Sequence, residues 1–107
     1  MYLKNVLIRD LSYNPIRYLN NYDFSSLNYL EALYLDGCGL QDIDSVDWKQ
    51  LVSLKELGLR DNHITNIGKV LKESWSIRSL DLRLNRISHL PSKLPDFITQ
   101  FIVAVRN

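Results

Sequence analysis

One pattern, L-x-x-L-x-L-x-x-N-x-L, constrains what this chain can fold into more than any other feature, because it recurs in register along almost the whole sequence. Three central copies carry it. They are Leu30, Leu33, Leu35, Cys38 and Leu40; Leu54, Leu57, Leu59, Asn62 and Ile64; and Ile77, Leu80, Leu82, Asn85 and Ile87, with starts 24 and 23 residues apart. A weaker copy beginning at Val6 keeps Leu11, Asn14 and Ile16, although Arg9 stands where the second leucine belongs. A last one beginning at Ile98 keeps Phe101 and Val103. Self-similarity at a fixed period of this length marks a stack of small units, each burying its apolar face against the next.

Each position has a physical reason. In the x-L-x-L-x core the period of two sends both leucines to the interior side of a short strand and the intervening residues to the opposite side. Further apolar positions, Leu19, Ile43, Ile67 and Leu90, return the chain over those leucines as a turn, a short helix or a 3₁₀ segment. The asparagine amide both donates and accepts, which suits a buried turn rich in backbone groups. Cys38 occupies that position in one copy, where it reads as a small buried residue rather than a reactive thiol, with no basic partner beside it.

At these residues the sequence resembles the leucine-rich-repeat family, over about residues 6 to 107. The spacers agree as well. Phe24, Leu27 and Leu30 are echoed by Trp48, Leu51 and Leu54 at equal offsets, and Leu94-Pro95 through Val103 resembles the shorter L-P-x-x-L-x-x-L-x-V version of the repeat. The third spacer departs from the pattern, with Ser74 in a leucine position and Trp75 one residue later. The resemblance implies an α/β solenoid over residues 1–107 as a single domain. Its repeats start near 6, 30, 54, 77 and 98, about four to five of them. A short curved parallel sheet forms the concave face, with turns, short helices and 3₁₀ segments on the convex face.

Composition narrows the function. The chain has 107 residues, 46% of them hydrophobic and 23% charged, as expected of one folded domain. Thirteen basic against twelve acidic residues give a net charge of +1, which disfavours a nucleic-acid partner. A lone cysteine excludes an internal disulfide, and no Cys/His spacing suits a metal. No apolar run reaches the roughly 18 to 20 residues of a membrane span. The absence of an Asn-x-Ser/Thr sequon leans towards the cytoplasm or nucleus. His63 and His89 lie about one repeat apart with no nucleophile motif around them, and Asp42, Asp44 and Asp47 lack calcium-loop spacing, so neither catalytic residues nor cofactor ligands are expected.

With the leucines committed to the core, function falls to the outward residues of the concave strands. Tyr13, Tyr34, Asp36, Glu56, Arg60, Asp81 and Arg83 are the candidate partner-binding set, combining aromatic and arginine side chains with steering acids. The competing reading is a solvated ladder of charges paired across adjacent strands. The expected function is therefore a non-enzymatic scaffold that holds a protein partner on its concave face. The alternative is a fragment of a larger extracellular or secreted leucine-rich-repeat receptor or insect-like immune recognition protein. Val103, Val105 and Ile102, without a following repeat, suggest self-association through uncapped ends.

Overall fold

The computed structural model describes residues 7–19, 24–90 and 100–102. Five three-residue strands, β1 (Ile8–Asp10), β2 (Ala32–Tyr34), β3 (Glu56–Gly58), β4 (Ser79–Asp81) and β5 (Gln100–Ile102), form one sheet in chain order. Every neighbouring pair is parallel. The register aligns Ile8, Ala32, Glu56, Ser79 and Gln100 in one row, Arg9, Leu33, Leu57, Leu80 and Phe101 in the next, and Asp10, Tyr34, Gly58, Asp81 and Ile102 in the third. These are the rows that the repeat spacing predicts. Parallel neighbours need a return segment each, and those of the first three pairs carry a 3₁₀ turn at Phe24–Leu27, another at Trp48–Gln50, and one short helix, α1 (Gly68–Glu73).

The strands stop for a common backbone reason. Tyr13, Gly37, Asp61 and Leu84, one per repeat, take φ of 61°, 61°, 59° and 58°, the left-handed conformation that turns the chain out of the sheet. Each turn is then pinned to the next repeat, the Tyr13, Gly37 and Asp61 amides donating to the carbonyls of Asp36, Arg60 and Arg83 at 2.7, 2.9 and 2.9 Å. Only Gly37 adopts this φ without steric cost.

Behind the turns lies the asparagine ladder. The Cys38 and Leu40 amides both donate to Asn62 Oδ1 at 2.9 and 3.0 Å, while Asn62 Nδ2 donates to the carbonyls of Leu35 and Leu59 at 2.9 Å each. Asn85 repeats this one level on, accepting from the Ile64 amide at 3.0 Å and donating to the carbonyls of Leu59 and Leu82 at 2.8 and 3.1 Å. Buried amide and carbonyl groups at a tight turn must find partners, and one primary amide serves several of them. Cys38 fills the same place with its thiol 3.3 Å from the Leu11 carbonyl. Burial pushes that thiol above its ordinary pKa, which keeps it protonated and unreactive.

One continuous core runs from Leu19 to Ile87. Leu33, Leu35, Leu57, Leu59, Leu80 and Leu82 are all at most 1% exposed. Trp48 closes the second return segment, its buried indole donating to the Ile43 carbonyl at 2.9 Å. The irregular third spacer keeps the phase: Ser74 is buried where a leucine was expected, and Trp75 is 71% exposed. One expectation needs correcting: Leu90, expected over the core, is 41% exposed. Arg9, the departure from the leucine pattern, takes the leucine row of β1 and is exposed. Val103 and Val105 lie outside the described residues, as do the side chains of β5, so the expected stickiness of that end concerns parts not described here.

Candidate functional site

The outward side of the sheet carries the candidate residues, and the structure brings Tyr34, Asp36, Glu56 and Asp81 together around one hollow of about 150 Å³, with Gly58 as its floor and Ser79 on its wall. Gly58 makes this possible. A Cβ there would lie 2.8 Å from Tyr34 Cδ1 and 3.0 Å from Asp36 Oδ1, so the bare backbone of β3 is what lets the tyrosine ring and the carboxylate lean across it. Tyr34 is half-buried, and its hydroxyl pairs with Glu56. Its pKa is pushed up to about 12, first by burial and then by that carboxylate, so it stays a neutral donor. The outward rows are not uniformly open, since Ala32 and Gly58 are buried.

Tyr13 stands on the rim, 68% exposed, with its ring over Gly37, where any Cβ would collide with it. A second, wider hollow joins it to Asp10, Ser12, Tyr34 and Asp36. Asp10 and Ser12 were not singled out in the sequence. Their signal was present, since Asp10 shares its row with Asp81 and Ser12 shares the next with Asp36.

The charges are wired in a way that neither sequence reading anticipated. Asp10 Oδ1 accepts from the Ser12 amide at 3.0 Å, and Asp81 Oδ1 accepts from the Arg83 amide at 3.1 Å, each carboxylate serving the amide two residues on. In β3 that position is Gly58, which has no carboxylate to offer. The Arg60 amide is served instead by Asp36 Oδ1 from the preceding repeat at 2.9 Å, and the Asp36 amide in turn donates to Ser12 Oγ at 3.0 Å. Asp36 has its pKa raised, first by burial and also by Asp81 and Asp10 nearby, with the Arg60 amide opposing.

Arg83 grips Asp81 with two parallel bonds, Nε to Oδ1 at 3.0 Å and Nη2 to Oδ2 at 2.8 Å. Burial would raise the Asp81 pKa, but this grip outweighs it and the net shift is downward. The pair therefore forms within one repeat, between the last residue of β4 and the turn after it, not across two strands as the ladder reading expected. Among the described residues, the ion pair between adjacent repeats is Lys55 with Glu31 at 3.7 Å, each just before its strand, well exposed and worth little. Arg60 makes no ion pair within 4 Å among the described residues, although its charge acts on both Asp36 and Asp81.

His63 and His89 are exposed. The Asp42 carboxylate is occupied by a local turn, accepting from the Asp44 amide at 2.8 Å through Oδ1, while Asp44 Oδ1 is buried without a hydrogen-bond partner. No group of three or more His, Cys, Asp or Glu is placed to hold a metal ion among the described residues. No helix among them is long and apolar enough to cross a membrane.

Parallel three-residue strands at a 21 to 24 residue period, the asparagine ladder and the outward face together define a leucine-rich-repeat protein. The family model described as Leucine Rich repeat matches residues 50–68. The chain is 34% identical over 85 residues to leucine-rich repeat and IQ domain-containing protein 4 of Homo sapiens, which covers 79% of this chain and 15% of that protein. It is 26% identical over 107 residues to epiphycan of Mus musculus, covering 78% and 33%, and 26% identical over 116 residues to epiphycan of Gallus gallus, covering 87% and 37%. The chain thus spans between 15% and 37% of the length of these relatives.

Proposed function

We propose that this repeat block is a non-enzymatic interaction module that holds a protein partner against its concave face, with Tyr34, Arg60 and Arg83 at the centre and Tyr13 at the rim. The observation that carries the reading is the hollow over Gly58 lined by Tyr34, Asp36, Glu56 and Asp81, with the backbone of Arg60 tied to it through Asp36. A rigid sheet presents them. An aromatic ring, an arginine and a recess deep enough for one side chain are the ingredients from which binding hot spots are built. Asp36 and Asp81 are bound up with backbone amides and with Arg83, so they hold the surface in shape and steer a partner rather than anchor it. A second reading, favoured by the small share of each relative that the chain spans, places the block within a longer protein that uses the same face.

Co-precipitation followed by affinity measurement tests this. Arg60→Ala and Tyr34→Ala are expected to cost the captured partner about 2 kcal/mol each, roughly a thirtyfold loss of affinity. Lys72→Ala on the return side should cost little. Lys69 is no silent control, because its ammonium donates to the Asp44 carbonyl at 2.8 Å. Loss of binding in Lys72→Ala with Arg60→Ala unaffected would move the site to the convex side.

A further inference from the structure

We propose that the rim just beyond the asparagine ladder holds a small tetrahedral oxyanion, a phosphate or sulfate group, between Arg17, Tyr18, Gln41 and His63. These four side chains and Gly39 line one recess of about 320 Å³, distinct from the concave face. Three successive repeats build it: Arg17 and Tyr18 from the first, Gly39 and Gln41 from the second, His63 from the third. The backbone holds them in place. The Arg17 amide donates to the Cys38 carbonyl and the His63 amide to the Leu40 carbonyl, both at 2.8 Å, on either side of Gly39. Asn62 anchors the same turn from behind by accepting from the Cys38 and Leu40 amides.

The chemistry of the lining is one-sided. Guanidinium, phenol, primary amide and imidazole all offer hydrogen-bond donors, and no carboxylate lines the recess. Arg17 makes no ion pair within 4 Å among the described residues, so its charge is not already spent. Asp42 follows Gln41 in the chain, but its Oδ1 is turned back to the Asp44 amide. A planar guanidinium with a second donor opposite it suits an oxyanion with several oxygens better than a monodentate group. Two backbone features keep the recess open. Gly39, at φ +72°, adds no side chain to the floor, and its position lies under the Arg17 stem, Cγ 3.5 Å from where a Cβ would be. Arg17 itself sits at φ +66°, a left-handed conformation that an arginine adopts at a cost and that aims its side chain over this turn.

The test is a titration of the isotopically labelled chain followed by amide chemical shifts, with inorganic phosphate, a phosphoserine peptide and sodium acetate at matched ionic strength. Phosphate should give saturable shifts confined to residues 17, 18, 39, 41 and 63, while acetate should not. Arg17→Gln should weaken binding about tenfold or more, and His63→Gln should weaken it less. Arg83→Gln, on the concave face, should leave it unchanged. Arg17→Gly is the second variant, because glycine accepts the left-handed φ and removes the guanidinium without disturbing the turn. Tighter binding of the phosphopeptide assigns the group to a modified partner, and tighter binding of inorganic phosphate assigns it to a free anion. Shifts spread over the basic surface without saturation, equal shifts with acetate, or full binding in both Arg17 variants would overturn the proposal.

Discussion

The smallest unit of this architecture is the single left-handed residue that ends each strand. Glycine is the residue suited to that backbone, yet of Tyr13, Gly37, Asp61 and Leu84 only one is glycine. Tyr13 lays its ring over Gly37, and aspartate tolerates this φ better than most side chains. Leu84 has no such excuse, being a 57% exposed apolar side chain in a conformation costing about 1 to 2 kcal/mol. Leu84→Gly therefore relieves strain at almost no loss of packing. After allowing for the greater freedom of glycine in the unfolded chain, it should stabilise by about 0.5 to 1 kcal/mol. Urea denaturation measures this, and a destabilised variant would mean that Leu84 makes contacts its exposure does not suggest.

At the scale of one element, the return segment around α1 shows how an irregular spacer is absorbed. Its helix ends at Ser74, whose amide donates to the Val70 carbonyl at 3.0 Å, so the residue occupies the buried position that Leu51 fills one repeat earlier. Trp75 is then displaced to the surface, its indole donating to the Lys72 carbonyl at 2.9 Å. The serine hydroxyl is left buried without a partner. An unsatisfied hydroxyl in an apolar setting costs free energy that alanine would not incur. Ser74→Ala should therefore raise stability by about 1 kcal/mol, read from the shift of the denaturation midpoint at constant slope. A fall in stability would show that the hydroxyl is bonded after all.

Across the whole molecule, strands touch only their sequence neighbours while the core stays continuous from Leu19 to Ile87, so a defect in one repeat is felt by the stack. Leu59 and Leu82, both 0% exposed, sit in adjacent layers of that core. Leu59→Ala and Leu82→Ala should each destabilise by about 2 to 5 kcal/mol. With Trp75 replaced by Phe, the fluorescence of buried Trp48 and the far-ultraviolet circular dichroism should report one coincident transition. A change near zero at both leucines would contradict the register, and separated transitions would contradict the single core. In the proposed function, a sheet held by repeated turns would present Tyr34, Arg60 and Arg83 to a partner without first having to order the backbone that carries them.

What could be read from the residues alone was whatever depends on backbone period and burial. The alternation of leucines aligned Ile8, Ala32, Glu56, Ser79 and Gln100 in one row, and their spacing from Asn62 and Asn85 placed those amides at the buried turns and Cys38 in the equivalent slot. Those properties are local, since a period of two or a fixed offset assigns a side chain to a face whatever stands beside it. The tertiary structure alone decided how the outward polar groups are joined. Asp36 serves the Arg60 amide because Gly58 lacks a carboxylate, Arg83 closes on Asp81 within its own repeat, and Arg60 makes no ion pair within 4 Å among the described residues. It also gathered Arg17, Gln41 and His63 around Gly39. Each of these outcomes depends on side chains supplied by adjacent repeats or on competition for an acceptor a few ångströms away. A hydrogen bond with that reach is set by stacking geometry, which no spacing along the chain records.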